Sequence, residues 1–114
     1  MTRAGFLSGL ALAIAVAASP AAAHRLNVFA FVEDGQVVVE AKFSTGRLPV
    51  AGEVRVYDAA GEQIQTLDLG ETGTMMFPLD PSYATGLTIE VEASEGHEDY
   101  WILSPDDIAK GAAE

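Results

Sequence analysis

The chain has 114 residues, no cysteine, 49% apolar residues, and 6 Lys plus Arg against 17 Asp plus Glu, a formal net charge of −11. That length supports one domain, and the apolar content excludes a disordered acidic tail. The charge argues against a nucleic-acid binder, which needs a Lys/Arg surface. The absence of Cys excludes disulfide scaffolds, zinc fingers, iron–sulfur clusters and thiol catalysis, leaving His, carboxylates, backbone and terminal amine as metal donors.

Residues 1–23 carry one basic residue, Arg3, an apolar run from Phe6 to Ala18, a breaker at Pro20 and the small triplet Ala21-Ala22-Ala23. This is the pattern of a secretory signal peptide with an A-x-A cleavage site. The apolar run is shorter than the roughly 20 residues of a spanning helix. No Cys stands at the cleavage site to take a lipid, and no second apolar run follows. The expected product is a soluble periplasmic protein with no membrane anchor after cleavage. Its first residue would be His24, whose α-amine and ring Nδ1 can close a chelate on one divalent ion.

Seven strands are expected along residues 24–104. Leu26, Val28, Ala30 and Val32 alternate with Asn27, Phe29 and Phe31, and Val37, Val39, Ala41 and Phe43 alternate with Val38, Glu40 and Lys42. Between them Asp34-Gly35 is a tight hairpin turn. After a loop containing Pro49, Glu53 to Tyr57 alternates with Val54 and Val56 inward. Further strands are read at Gln63–Leu67, Thr74–Pro78, Leu87–Ala93 and Glu98–Leu103, with Gly70–Gly73, Asp80-Pro81-Ser82 and Glu95-Gly96 as turns. Short strands with turns at this spacing predict an all-β, seven-stranded antiparallel β-sandwich, with no helix between Arg25 and Leu103. Met75 and Met76 are neighbours in one strand, which reads as packing rather than as a copper-binding loop.

A two-residue Glu95-Gly96 turn would set Ser94 opposite His97, Glu92 opposite Asp99 and Glu90 opposite Trp101. It would turn Tyr100 and Ile102 inward and leave Glu92 and Asp99 as a like-charge pair that a cation would relieve. Ser104-Pro105-Asp106-Asp107 is a helix start with Ser as N-cap and Pro at the first helical position. Residues 105–114 are expected to be a short helical or disordered tail, stopped at Gly111 within about two turns and frayed rather than part of the core.

No nucleophile elbow, H-E-x-x-H or phosphate loop is present, and Ser44, Thr45, Ser82, Ser94 and Ser104 fit turn positions. The reading is therefore a binding protein rather than an enzyme. Its two histidines outside the leader segment, His24 and His97, are the best candidate metal ligands. His97 lies among Glu95, Glu98, Asp99, Tyr100 and Trp101.

The stretch AHRLNVFAFVEDGQVVVEAKFSTGRLPVAGEVRVYDAAGEQI, followed by EGHEDYWIL, resembles the small exported accessory proteins of energy-coupling-factor nickel and cobalt transporters. The shared pattern is Ala-His at the cleavage site, an acidic Gly turn, a Phe-Ser strand end, a Gly-x-Pro loop, V-x-V-Y-D before a Gly turn, and Gly-His before an aromatic in the last hairpin. The resemblance implies a prealbumin-like sandwich and a role in delivering Ni²⁺ or Co²⁺ to the membrane components of a metal transporter. Thr66 to Phe77 departs from the T-D-x-x-G-x-F turn of regulatory-domain relatives, and many relatives carry a C-terminal membrane helix that is not read here. The expected ligands are the His24 amine and ring, His97, and a carboxylate from Glu95, Glu98 or Asp99. These donors also suit Cu²⁺, which the Irving–Williams order favours. A periplasmic copper carrier, or a metal-free sandwich that contacts a protein partner through Trp101 or a free edge, are the alternatives.

Overall fold

The computed structural model describes residues 25–113; the segment read as a leader, the cleavage site expected in it and His24 lie outside the described residues. Seven strands follow the alternation of the sequence: β1 (Leu26–Glu33), β2 (Gln36–Phe43), β3 (Gly52–Asp58), β4 (Gln63–Asp68), β5 (Thr74–Pro78), β6 (Leu87–Ala93) and β7 (Glu98–Leu103). They form two antiparallel sheets, one of order β1-β2-β5 and one of order β4-β3-β6-β7. The fold is an all-β sandwich.

Each sheet turns one face inward because side chains alternate with period two. Val28, Ala30, Val37, Val39 and Phe77 of one sheet meet Val54, Val56, Ile89, Val91 and Leu103 of the other, all buried. Leu69, just beyond β4, and Tyr83 also enter this core. Burial of a Val, Leu or Ile side chain contributes about 1.5–3 kcal/mol, so this inward set is the main force holding the sheets together. The β1–β2 hairpin closes through Asp34 (φ 51°) and Gly35 (φ 74°), the left-handed pair that a type I′ turn demands and that Asp-Gly accommodates.

Three expectations are corrected. First, a 3₁₀ turn, Pro81–Thr85, interrupts the chain before β6, with Asp80 as its cap and Tyr83 buried. This departs from the helix-free pattern expected between Arg25 and Leu103; Asp-Pro-Ser favours a capped turn, and the Tyr side chain anchors it in the core.

Second, the C-terminal segment is a core element. Helix α1 (Pro105–Ala112) starts with a capping box between Ser104 and Asp107. Its Ile108 is buried in the main core, and Gly111 lies inside the helix rather than ending it.

Third, the last hairpin is offset by one residue. Ala93 donates its N–H to the His97 carbonyl at 2.8 Å, and Glu92 pairs with Glu98, Val91 with Asp99, Glu90 with Tyr100 and Ile89 with Trp101. The connection is the three-residue turn Ser94–Gly96, in which Gly96 (φ 78°) takes the left-handed position. A two-residue I′ turn would require positive φ at Glu95 as well, which a Glu backbone resists. A one-residue slip exchanges the faces of a strand. Tyr100 and Ile102 are therefore outward, 58% and 59% exposed, while Asp99 and Trp101 turn toward β1.

That inversion gives Asp99 a structural partner: its Oδ2 accepts the Val28 N–H at 2.8 Å, joining the free edge of β1 to β7. A carboxylate that occupies an otherwise open edge amide also blocks strand addition there. Asp99→Ala leaves this half-buried N–H without a protein acceptor, and the expected loss is about 1.5 kcal/mol. Urea unfolding should show a lower midpoint at unchanged m-value, and the Val28 amide should exchange faster.

Candidate functional site

The fold places His97 at the tip of the β6–β7 hairpin. Its Nδ1 lies 2.9 Å from the Ser94 carbonyl. A carbonyl only accepts, so Nδ1 carries the proton, and in the neutral ring Nε2 holds the lone pair. The ring meets Phe43 edge to face, centroids 5.3 Å apart at 82°. Backbone and aromatic neighbour together fix its direction, which is the support a metal-ligating imidazole needs.

The same end of the sandwich holds the start of β1. Phe43 pairs with Leu26. Ser44 donates its N–H to the Arg25 carbonyl at 2.7 Å, and Arg25 donates its own to Ser44 Oγ at 3.2 Å. β1 therefore begins at the end of the sandwich that carries His97. A cleft of about 320 Å³ opens beside it, lined by Phe43, Arg47, Leu48, Val50, Ser94 and His97 among others.

The carboxylates named with His97 lie elsewhere or are otherwise engaged. Glu98 Oε1 accepts from Arg55 Nη2 at 2.9 Å, and Asp99 holds the Val28 amide. Glu95 belongs to the turn that precedes His97. Among the described residues, no three His, Cys, Asp or Glu side chains form a metal-ligand group.

Arg55 was not singled out by sequence reasoning. It stands on the outer face of β3, where Glu53 (2.6 Å), Glu90 (2.8 Å), Glu92 (2.9 Å) and Glu98 (2.9 Å) converge on its guanidinium. Hydrogen bonds to Glu92, then Glu90 and Glu53, raise its pKa above the ordinary guanidinium value, against a smaller opposing effect of burial. The like-charge crowding anticipated in this hairpin is real, but it falls on Glu92 and Glu98, and the cation that relieves it is a side chain of the neighbouring strand. The signal lay in the alternation Glu53-x-Arg55 on β3 and Glu90-x-Glu92 on β6. It becomes legible only once β3 and β6 are known to pair.

No protein-family model matches the chain, and no curated protein shows significant similarity to it. Among the described residues, no helix is long and apolar enough to cross a membrane.

Proposed function

We propose that this is a periplasmic Ni²⁺/Co²⁺-binding accessory protein of a metal uptake transporter. The ion would be held by the α-amine and ring of His24 and by Nε2 of His97, with a carboxylate of Glu95 or water completing the shell. The observation that carries the reading is that His97, its Nδ1 occupied by the Ser94 carbonyl, lies at the end of the sandwich from which β1 departs. Amine and imidazole nitrogens bind Ni²⁺, Co²⁺ and Cu²⁺ alike; preference for nickel and cobalt rests on the sequence resemblance. An incomplete protein ligand set suits an ion that must be handed on.

Native mass spectrometry and calorimetry on the chain beginning at His24, in 0.15 M salt, test this. One ion per chain should bind. Adding one residue ahead of His24 removes the chelating α-amine from that residue, and His97→Ala removes Nε2; each should weaken binding at least about tenfold, the equivalent of one lost ligand worth about 1.4 kcal/mol. The metal-free His97→Ala protein should stay within about 1 kcal/mol of wild type, since a half-buried hairpin residue with one aromatic neighbour contributes little packing. Because both donors must be deprotonated, affinity should fall on acidification. Equal affinity in all three proteins, or binding lost entirely at this salt concentration, would rule the site out and leave only diffuse attraction to an acidic surface.

A further inference from the structure

The outer face of the three-stranded sheet carries a continuous apolar row. Met76 pairs with Val38 and Val38 with Phe31. Phe31 lies 5.5 Å from Phe29, and Phe29 meets Trp101 edge to face at 4.9 Å. Phe29, Met76 and Trp101 all remain exposed, Phe29 at 45% and Trp101 at 37%. At the aromatic end of the row, Phe29, Phe31 and Trp101 join Asp107, Lys110 and Gly111 of α1 around a cavity of about 250 Å³. A contiguous row of large apolar side chains, ending in a pocket and rimmed by charges, is the form an interaction site takes, unlike singly scattered apolar residues.

The charges around it indicate what would cover it. Glu40 pairs with Phe29, in the middle of the outer face, and Lys42, two residues further along the same face, pairs with Asn27. Asp107 and Lys110 of α1 line the pocket; Asp107 Oδ2 accepts the Ser104 N–H at 3.2 Å, and Lys110 is held by Asp106 at 3.1 Å. The whole chain carries −11. A second copy would bring the same acidic rim and be repelled, whereas a basic partner is steered in. Three aromatic side chains, Phe29, Phe31 and Trp101, wall the pocket, and the electron-rich face of such a ring suits a guanidinium or ammonium group.

We infer that the Met76–Val38–Phe31–Phe29–Trp101 row docks a polypeptide segment of a basic protein partner, its apolar side chains lying on Phe31, Val38 and Met76 and an Arg or Lys entering the Phe29/Phe31/Trp101 pocket. This assignment does not depend on metal binding.

Trp101 is the sole tryptophan of the chain and reports from inside the pocket. Metal-free protein is titrated with three short peptides of one design: Leu and Ser with Arg, with citrulline, and with Glu. The Arg peptide should change Trp101 emission and bind at least about fivefold more tightly than its uncharged citrulline isostere, a ratio typical of a cation on aromatic rings. The Glu peptide should not bind, and raised salt should weaken the Arg peptide. Phe29→Leu keeps the apolar surface but removes one ring, and by calorimetry should lower Arg-peptide affinity about fivefold while leaving citrulline binding unchanged. Circular dichroism checks its fold, and Phe31→Leu provides the same reading independently. Equal binding of Arg and citrulline peptides, equal affinity of wild type and both Leu variants, or sedimentation showing a dimer that Phe29→Ser dissolves would each overturn the assignment.

Discussion

Arg55→Met should lower the stability of the sandwich by about 3 kcal/mol at neutral pH, a fall in Tm of roughly 10–20 °C for a domain of this size. Methionine keeps most of the aliphatic stem, so the loss isolates the charge. An exposed ion pair contributes only about 0–1 kcal/mol, which would make this prediction excessive for a single bridge. Here the Arg55 side chain is only 16% exposed and serves four carboxylates at once. Removing it leaves Glu53, Glu90, Glu92 and Glu98 crowded on three adjacent strands with no cation between them.

Two further measurements separate charge relief from packing. Because the Arg55 pKa is raised on folding, its stabilisation is fully present below the ordinary guanidinium value and is lost only as pH rises through the higher folded value. Arg55 itself therefore contributes no pH dependence across the working range. In the variant, strong acidification removes the repulsion between carboxylates, and the gap to wild type should narrow. Millimolar Ca²⁺, which takes carboxylate oxygens readily, should raise the Tm of Arg55→Met and leave wild type unchanged. A gap of the same size at all pH values and calcium concentrations would show that the missing interaction was packing.

The strands were legible because their alternation is local: Leu26 to Val32 and Leu87 to Ala93 declare their inner faces within a few residues. Turn chemistry was legible where it was unambiguous, as at Asp34-Gly35. It misled at Glu95-Gly96, where Gly supplied the left-handed residue of a longer turn and shifted β7 by one position. Tyr100-Trp101-Ile102-Leu103 is apolar on both faces, so the pattern could not correct the slip. That one residue redirected Asp99 from the candidate metal shell to the Val28 amide and brought Trp101 against Phe29. Arg55 and the aromatic row were out of reach for a different reason. They join β3 to β6 and β7, and β1 to β5 through β2, and nothing local in sequence fixes that order. His97 was legible as a residue, but the pairing of Phe43 with Leu26 that sets it beside the start of β1 is a long-range fact.

Gly111→Ala is the sharpest test of how α1 is seated, because two effects of opposite sign compete. In an isolated helix Ala is favoured over Gly by about 1 kcal/mol. In this fold a Cβ at residue 111 would fall 2.5 Å from both Val32 Cβ and the Val32 carbonyl oxygen. Neither atom is the end of a flexible side chain: one is the stiff branch point of a valine, the other is β1 backbone. Relief requires α1 to move away from β1, which withdraws Ile108 from the core and breaks contact along a face that also borders the Phe29/Phe31/Trp101 pocket. Overpacking of this kind costs about 1–3 kcal/mol and occasionally more, and partial exposure of Ile108 adds about 1–2 kcal/mol. The overlap outweighs the propensity gain. A net loss of about 2 kcal/mol is expected, seen as a lower urea midpoint with the β-sheet circular dichroism retained and Trp101 emission shifted to the red as the pocket opens to water. Ser in place of Gly111 should behave in the same way, since it carries the same Cβ. A Gly111→Ala protein as stable as wild type, with unchanged Trp101 emission, would mean that α1 is not packed against Val32 in solution.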